Sequence, residues 1–306
     1  MKFGVSVWPF QWSPPYEDAL KRIARLGFRQ VELIAWNRAA FDEYYTPSRI
    51  AELNRLMQGE GLQLSEFVST PGGLASLDAA RRATAVEHFK RTVEAAQALG
   101  TSVVNSVVAT PFDLRFPGML TLPTAQEVRV ELPAGLDWDA GYAAYVEGLR
   151  QCCAVCEAAG VRYALETHPY RWATTALSLL RLIEHVGSPA LGVNLDPSHM
   201  FPCGDLPQVA VYMLGGRVFH THFSDNDGHS NAHWRPGKGK IDWSATLTAL
   251  RDVGYQGVLS IELEGVPGVA TSSHPTAGPE LDREYTESRE YLTRLAGEIG
   301  VAFAHS

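Results

Sequence analysis

Eight short apolar runs recur along the chain, each separated from the next by a longer amphipathic stretch. That rhythm constrains the fold more than any single motif. The runs are KFGVSVW (2–8), RQVELIAW (29–36), LQLSEFV (62–68), TSVVNSVV (101–108), VRYALET (161–167), ALGVNLD (190–196), RVFHTHF (217–223) and GVLSIEL (257–263). Between them apolar residues fall at helical spacing. Tyr16, Leu20, Ile23 and Leu26 make one stripe, and Val86, Phe89, Val93 and Ala96 make another. Glycine stands shortly before the next run at Gly27, Gly61, Gly100, Gly160 and Gly254, where a helix has to stop. Strict strand–helix alternation implies parallel strands joined by right-handed crossovers. Eight such units in 306 residues predict an α/β protein, a single (β/α)8 TIM barrel spanning residues 1–306, with an insertion at about 110–136 after the fourth strand. An open doubly wound sheet is the competing topology. It would carry a glycine-rich turn after its first strand, and SVWPFQW contains no glycine.

Composition removes several classes of partner. A net charge of −8 without a Lys/Arg cluster leaves no electrostatic footprint for nucleic acid or an anionic membrane. No stretch approaches the roughly 18 continuous apolar residues that a spanning helix needs. MKFGVSVWPF is too short and too aromatic to read as a signal peptide. The four cysteines, Cys152, Cys153, Cys156 and Cys203, lack disulfide-like spacing, which together with the preceding points predicts a cytoplasmic protein. Cys153 and Cys156 have the spacing of a redox or metal pair. No second pair accompanies them, so small buried hydrophobes on a helix is the cheaper reading.

The chemistry gathers at the ends of the fifth to eighth runs, which read YALETHP, GVNLDPSH, VFHTHFSDN and LSIELEG. Alternate residues of a strand face opposite sides. If Leu165, Val193, Leu195, Phe219, Leu259, Ile261 and Leu263 face the helices, then Glu166, Asp196, His222 and Glu262 point into the barrel mouth, with Ala164, Asn194, His220 and Ser260 one layer below. Three carboxylates converging there repel one another unless a cation neutralises them. Three oxygen ligands and one imidazole suit one divalent ion, Mn²⁺ first, with Mg²⁺ and Co²⁺ as alternatives.

The same stretches carry a resemblance. ETH, then NLDPSH, then HTHFSDND with PGKGKIDW behind it, then GYQGVLSIELE resemble the xylose-isomerase-like family of sugar isomerases and epimerases, over Arg162 to Glu264. The resemblance implies Glu166, Asp196, His222 and Glu262 as metal ligands, the set that strand spacing also selects. It implies a sugar isomerase or epimerase that abstracts a proton next to a carbonyl through a metal-stabilised enediolate, with Glu166 and Glu262 as the acid/base pair. His199 matches the family position that contacts a substrate oxygen, with a supporting hydrogen bond as its rival role. His168 is an alternative base or a rim residue. His233, ahead of PGKG, is a substrate contact or part of a turn. Arg171 and Arg235 are the local cations for a sugar oxygen or phosphate, unless they are simply solvated. Trp8 belongs to a set of aromatics, with Phe10, Trp12, Trp36, Trp172 and Trp234, suited either to the core or to a flat wall against a sugar face.

Two departures shape the alternatives. The ends of the second and third runs lack the extra histidines of the endonuclease IV branch of the family, which argues against an apurinic-site endonuclease. Ketose 3-epimerases carry an arginine six residues after the strand-7 histidine, where this chain has Gly228. ETHPYRW, DPSHMFP and HWRPGKGKIDW also resemble the larger subunit of C-glycoside deglycosidases, lyases that cleave a 3-oxo-glycoside with the same metal barrel. That resemblance implies a hetero-oligomer with a small subunit; the epimerase one implies a homo-oligomer. An inactive sugar-binding barrel is the non-enzymatic alternative, and a small-molecule sugar is the partner in each.

Overall fold

Every one of the eight runs forms a strand, and each strand is shorter than its run. They are β1 (Lys2–Ser6), β2 (Gln30–Ile34), β3 (Gln63–Val68), β4 (Val103–Val107), β5 (Arg162–Glu166), β6 (Leu191–Leu195), β7 (Val218–Phe223) and β8 (Val258–Ile261). The computed structural model describes residues 1–114, 130–132, 134–264, 279–301 and 303. Among them the strands pair in chain order, all parallel, and β8 closes onto β1 through pairs such as Phe3 with Leu259. This is a closed (β/α)8 barrel, as the alternation predicts.

Around it lie α1 (Glu17–Arg25), α2 (Arg38–Tyr44), α3 (Pro47–Gly59), α4 (Ala79–Ala98), α5 (Trp138–Ala159), α6 (Ala176–Val186), α7 (Pro197–Met200), α8 (Pro207–Leu214), α9 (Trp243–Asp252) and α10 (Pro279–Glu298). The helical stripes read from sequence are the buried faces: Leu20 and Ile23 on α1, and Phe89, Val93 and Ala96 on α4, are at most 1% exposed. The five glycines expected to stop helices all have positive φ, from 65° at Gly160 to 90° at Gly100, a conformation that costs other residues about 1–2 kcal/mol. Cys152, Cys153 and Cys156 lie buried on the inner face of α5, where burial pushes all three thiols up, Cys153 to about 12. They behave as small hydrophobes. No helix among the described residues is long and apolar enough to cross a membrane. The insertion at about 110–136 falls largely outside the described residues.

Two expectations need correcting. Asp196 and Glu262 stand just past the ends of β6 and β8 rather than within them. Phe219 does not face the helices. The pairing of β6 with β7 slips between Val193 and Asn194, which match Val218 and His220 and leave Phe219 extra. Its ring stands against Gly192, where any Cβ would lie 2.5 Å away, and Arg162 lies 5.2 Å from its centroid. A bulge of this kind re-aims one side chain while the next residues keep their facing.

Candidate metal centre

Glu166, Asp196, His222 and Glu262 converge at the C-terminal mouth of the barrel. One ligand atom from each lies within 4.8 Å of all the others, and the four residues are buried, with Glu262 the most accessible at 6%. Each position follows from local structure. Glu166 is the last residue of β5, inward-facing two places after Ala164. Asp196 caps α7: its Oδ1 accepts from the Ser198 N–H at 2.7 Å, and Pro197 supplies the first helical position, where no N–H is needed. That hydrogen bond occupies one oxygen and leaves Oδ2 turned to the site. Trp8, beyond the end of β1, donates its indole N–H to Glu262 Oε1 at 2.7 Å and packs edge-on to His222, 5.6 Å between centroids. Trp8 therefore holds a member of the site directly.

His222 is the hub. Its Nδ1 lies 2.6 Å from Glu166 Oε1 and 3.2 Å from Glu262 Oε2. Burial opposes charge on this imidazole, but Glu32, Glu262 and Glu166 outweigh it and push its pKa well above the ordinary value. Burial likewise raises Asp196 strongly, helped by Glu262 and Glu166, and raises Glu166 to about 7 against the pull of His222. Burial acts on Glu262 too, but there His222 above all prevails and takes it down to about 2. Two neighbouring carboxylates are thus pushed apart in acidity.

Asp196 Oδ2 and Glu262 Oε2 face this cluster without a well-aligned hydrogen bond among the described residues. Buried carboxylate oxygens without donors are costly, and a hard divalent cation is the partner that suits three oxygens and an imidazole. The residues present fit such an ion.

Three further histidines rim the cluster. His168 Nε2 is 3.4 Å from Glu166 Oε2, and its ring stacks on His199 at 3.6 Å. His199 Nε2 is 3.5 Å from Asp196 Oδ2, while Nδ1 meets Asn231 Oδ1 at 2.9 Å. His233 Nδ1 meets Ser224 Oγ at 3.0 Å and lies 3.8 Å from Glu262 Oε2. Burial lowers the pKa of all three, His233 to about 4, which favours the neutral imidazole, with one ring nitrogen free to accept a hydrogen bond. The two arginines differ. Arg171 is half-buried, and its Nε meets no acceptor among the described residues. Arg235 reaches Glu287 at 3.0 Å and Glu284 at 3.4 Å, so α10 engages its guanidinium, where the sequence alone offers a sugar contact or a solvated side chain. Of the aromatics, Trp8, Phe10 and Trp172 are buried, whereas Trp12, Trp36 and Trp234 keep exposed surface, with Trp12 and Trp36 stacked at 4.1 Å.

Sequence reasoning missed a second layer. Below the mouth, Glu32 of β2 and Glu66 of β3 are fully buried, and with His220 and His222 they form another group whose ligand atoms lie within 4.8 Å. The signal was present in QVELI, where Glu32 sits between Val31 and Leu33 at inward parity. In β3 parity alone is insufficient. The β2–β3 pairing slips between Val31 and Glu32, so that Glu66, rather than Ser65, comes level with Glu32.

Comparison with known proteins agrees with this fold. Residues 20–295 match the model of the xylose isomerase-like TIM barrel family. D-psicose 3-epimerase of Agrobacterium fabrum is 26% identical over 275 residues, covering 86% of this chain and 84% of that protein. L-ribulose 3-epimerase of Mesorhizobium japonicum is 27% identical over 266 residues, covering 84% and 80%. Among solved structures, the D-psicose 3-epimerase of Clostridium cellulolyticum H10 with D-tagatose superposes with a TM-score of 0.76 at 23% identity, covering 96% of this chain and 99% of that one. These relatives are sugar epimerases, and the structural likeness is one of fold.

Proposed function

The chain belongs to the xylose isomerase-like TIM barrel family, and we propose that within it this protein is a divalent-metal-dependent sugar isomerase or epimerase. The observation that carries the reading is the meeting of Glu166 and Glu262 at one imidazole nitrogen, with Asp196 completing a buried four-residue ligand set. A divalent ion held by Glu166, Asp196, His222 and Glu262 would act as a Lewis acid toward a sugar carbonyl and its neighbouring hydroxyl. The protein's own residues then handle the proton. One of Glu166 and Glu262 removes it from the carbon next to the carbonyl, and the other returns it. His168, 3.4 Å from Glu166, is placed to pass that proton on. His199 and His233 hold sugar oxygens at the rim. Trp8 keeps Glu262 oriented and offers an apolar edge. Arg171, near enough to His168 to disfavour its charged form, is the cation available to a sugar oxygen, whereas α10 engages Arg235.

A second reading, a C-glycoside deglycosidase that expels an aglycone after the same proton abstraction, has one observation in its favour. Gly228 stands where ketose 3-epimerases carry arginine. Its φ is 77°, and a Cβ there would meet the Phe201 ring at 3.0 Å. The loop does not accept a long side chain at that position.

The test is metal analysis of the purified protein, followed by incubation with a ketose panel in deuterated water and, separately, with a 3-oxo-C-glycoside. Bound Mn²⁺ with deuterium incorporation into a ketose supports the epimerase; aglycone release, with a small copurifying partner, supports the lyase. Turnover by a metal-free preparation would sink both.

A further inference from the structure

Beneath the proposed metal ligands lies a buried polar layer that the reaction itself does not use. His222 connects the two. Its Nδ1 faces Glu166 and Glu262, while Nε2, on the opposite side of the ring, lies 2.9 Å from Glu32 Oε2 and 3.5 Å from Glu66 Oε2. Glu32 belongs to β2 and His222 to β7, 190 residues apart, so only closure of the barrel brings them together. Both side chains are fully buried.

We infer that Glu32 is a positioning residue for His222: it accepts the Nε2 proton and thereby fixes the ring with the Nδ1 lone pair directed at the metal site. This rests on the proposed role of His222 as a ligand. An imidazole that binds a cation through one nitrogen carries its proton on the other, and in a site closed to water that proton needs an acceptor. Glu32 Oε2 is the nearest one. Glu66 supports the arrangement from behind. Asn105 Nδ2 donates to Glu66 Oε2 at 3.0 Å, anchoring that carboxylate level with Glu32. The two acids also place negative charge behind the imidazole, which makes Nδ1 a better donor to a cation.

The rival occupant of the lower layer is a second cation on Glu32, Glu66, His220 and His222. It would need His222 Nε2 while the upper ion takes Nδ1, stripping both protons from one imidazole. The positioning role requires no such state.

The experiment compares wild type with Glu32→Gln, which keeps size and an acceptor oxygen, and Glu32→Leu, which removes the acceptor. Mn²⁺ titration measures affinity and stoichiometry, and nitrogen-15 NMR of the Zn²⁺-loaded protein reads which His222 nitrogen carries the proton. The expected result is one ion per chain in wild type, Mn²⁺ bound about tenfold more weakly in Glu32→Gln and about a hundredfold more weakly in Glu32→Leu, with the single Nε2–H form lost in the latter. Should Glu32→Leu fail to fold, the Gln variant decides through affinity and the NMR pattern. Unchanged affinity and tautomer in the variants, or two ions per wild-type chain, overturns the role of Glu32 alone. A wild-type protein that binds no divalent ion overturns the metal-centre reading itself, and this role with it.

Discussion

The two halves of the barrel use their acidic residues at different depths. In β5–β8 the carboxylates stand at or just past the strand ends, Glu166, Asp196 and Glu262, with small or neutral groups one layer down: Ala164, Asn194 and Ser260. In β2 and β3 the acids sit mid-strand, Glu32 and Glu66, and the mouth above them is flanked by the aromatic set of Trp8, Trp12 and Trp36. Depth decides function. A carboxylate at the mouth can meet substrate, because the segments after β5, β6 and β7 bring His168, His199 and His233 to it. A carboxylate in mid-barrel can only meet other strands, so its effect must pass through a shared neighbour, here His222.

The contrast predicts that changes at the mouth act on turnover and changes below it act on affinity or stability. Glu166→Gln or Glu262→Gln should have the largest effect, a loss of about 10²–10⁴ in kcat with the fold intact, measured as solvent-deuterium exchange into the sugar. A variant at either position that kept wild-type exchange would break the comparison. In the lower layer, Asn105→Leu removes the hydrogen bond to Glu66 Oε2 and leaves that buried oxygen only the longer approaches of His222 Nε2 at 3.5 Å and His220 Nδ1 at 3.7 Å. The expected cost is about 1–3 kcal/mol in urea unfolding, with residual turnover in the folded fraction. Trp8→Phe tests the apolar half's reach into the site. Losing the indole donor to Glu262 should lower kcat roughly tenfold while leaving KM nearly unchanged, since a hydrogen bond to a charged group is worth about 1.5–3 kcal/mol. Smallest is Gly228→Ala, away from both layers. Its φ of 77° and the nearby Phe201 ring predict a destabilisation of about 1–2 kcal/mol by thermal unfolding.

Much of this was legible in the chain because strands and helices leave different periods. Alternation placed Glu166, Asp196, His222 and Glu262 on one side of consecutive strands, and the structure brings these four together. Trp8 and Arg235 show where that reading ends. Both were residues of suitable type near the mouth, yet one is hydrogen-bonded to Glu262 and the other is held by Glu284 and Glu287. Which acceptor a long side chain finds depends on distant segments, and α10 joins the chain only after all eight strands.

By itself the sequence determined the alternation of strand and helix, the positive-φ glycines that stop helices, and the parity that turns four ligand-type residues inward. These are local properties, set by backbone sterics and by the periods of strand and helix. Only the tertiary structure decided the levels. The slip between β2 and β3 brings Glu66 opposite Glu32, the slip between β6 and β7 turns Phe219 onto Gly192 while His220 and His222 stay inward, and barrel closure sets β2 across from β7. Register is fixed by how whole strands pack against their neighbours, and a one-residue slip leaves no mark on the composition or period of the strand that makes it.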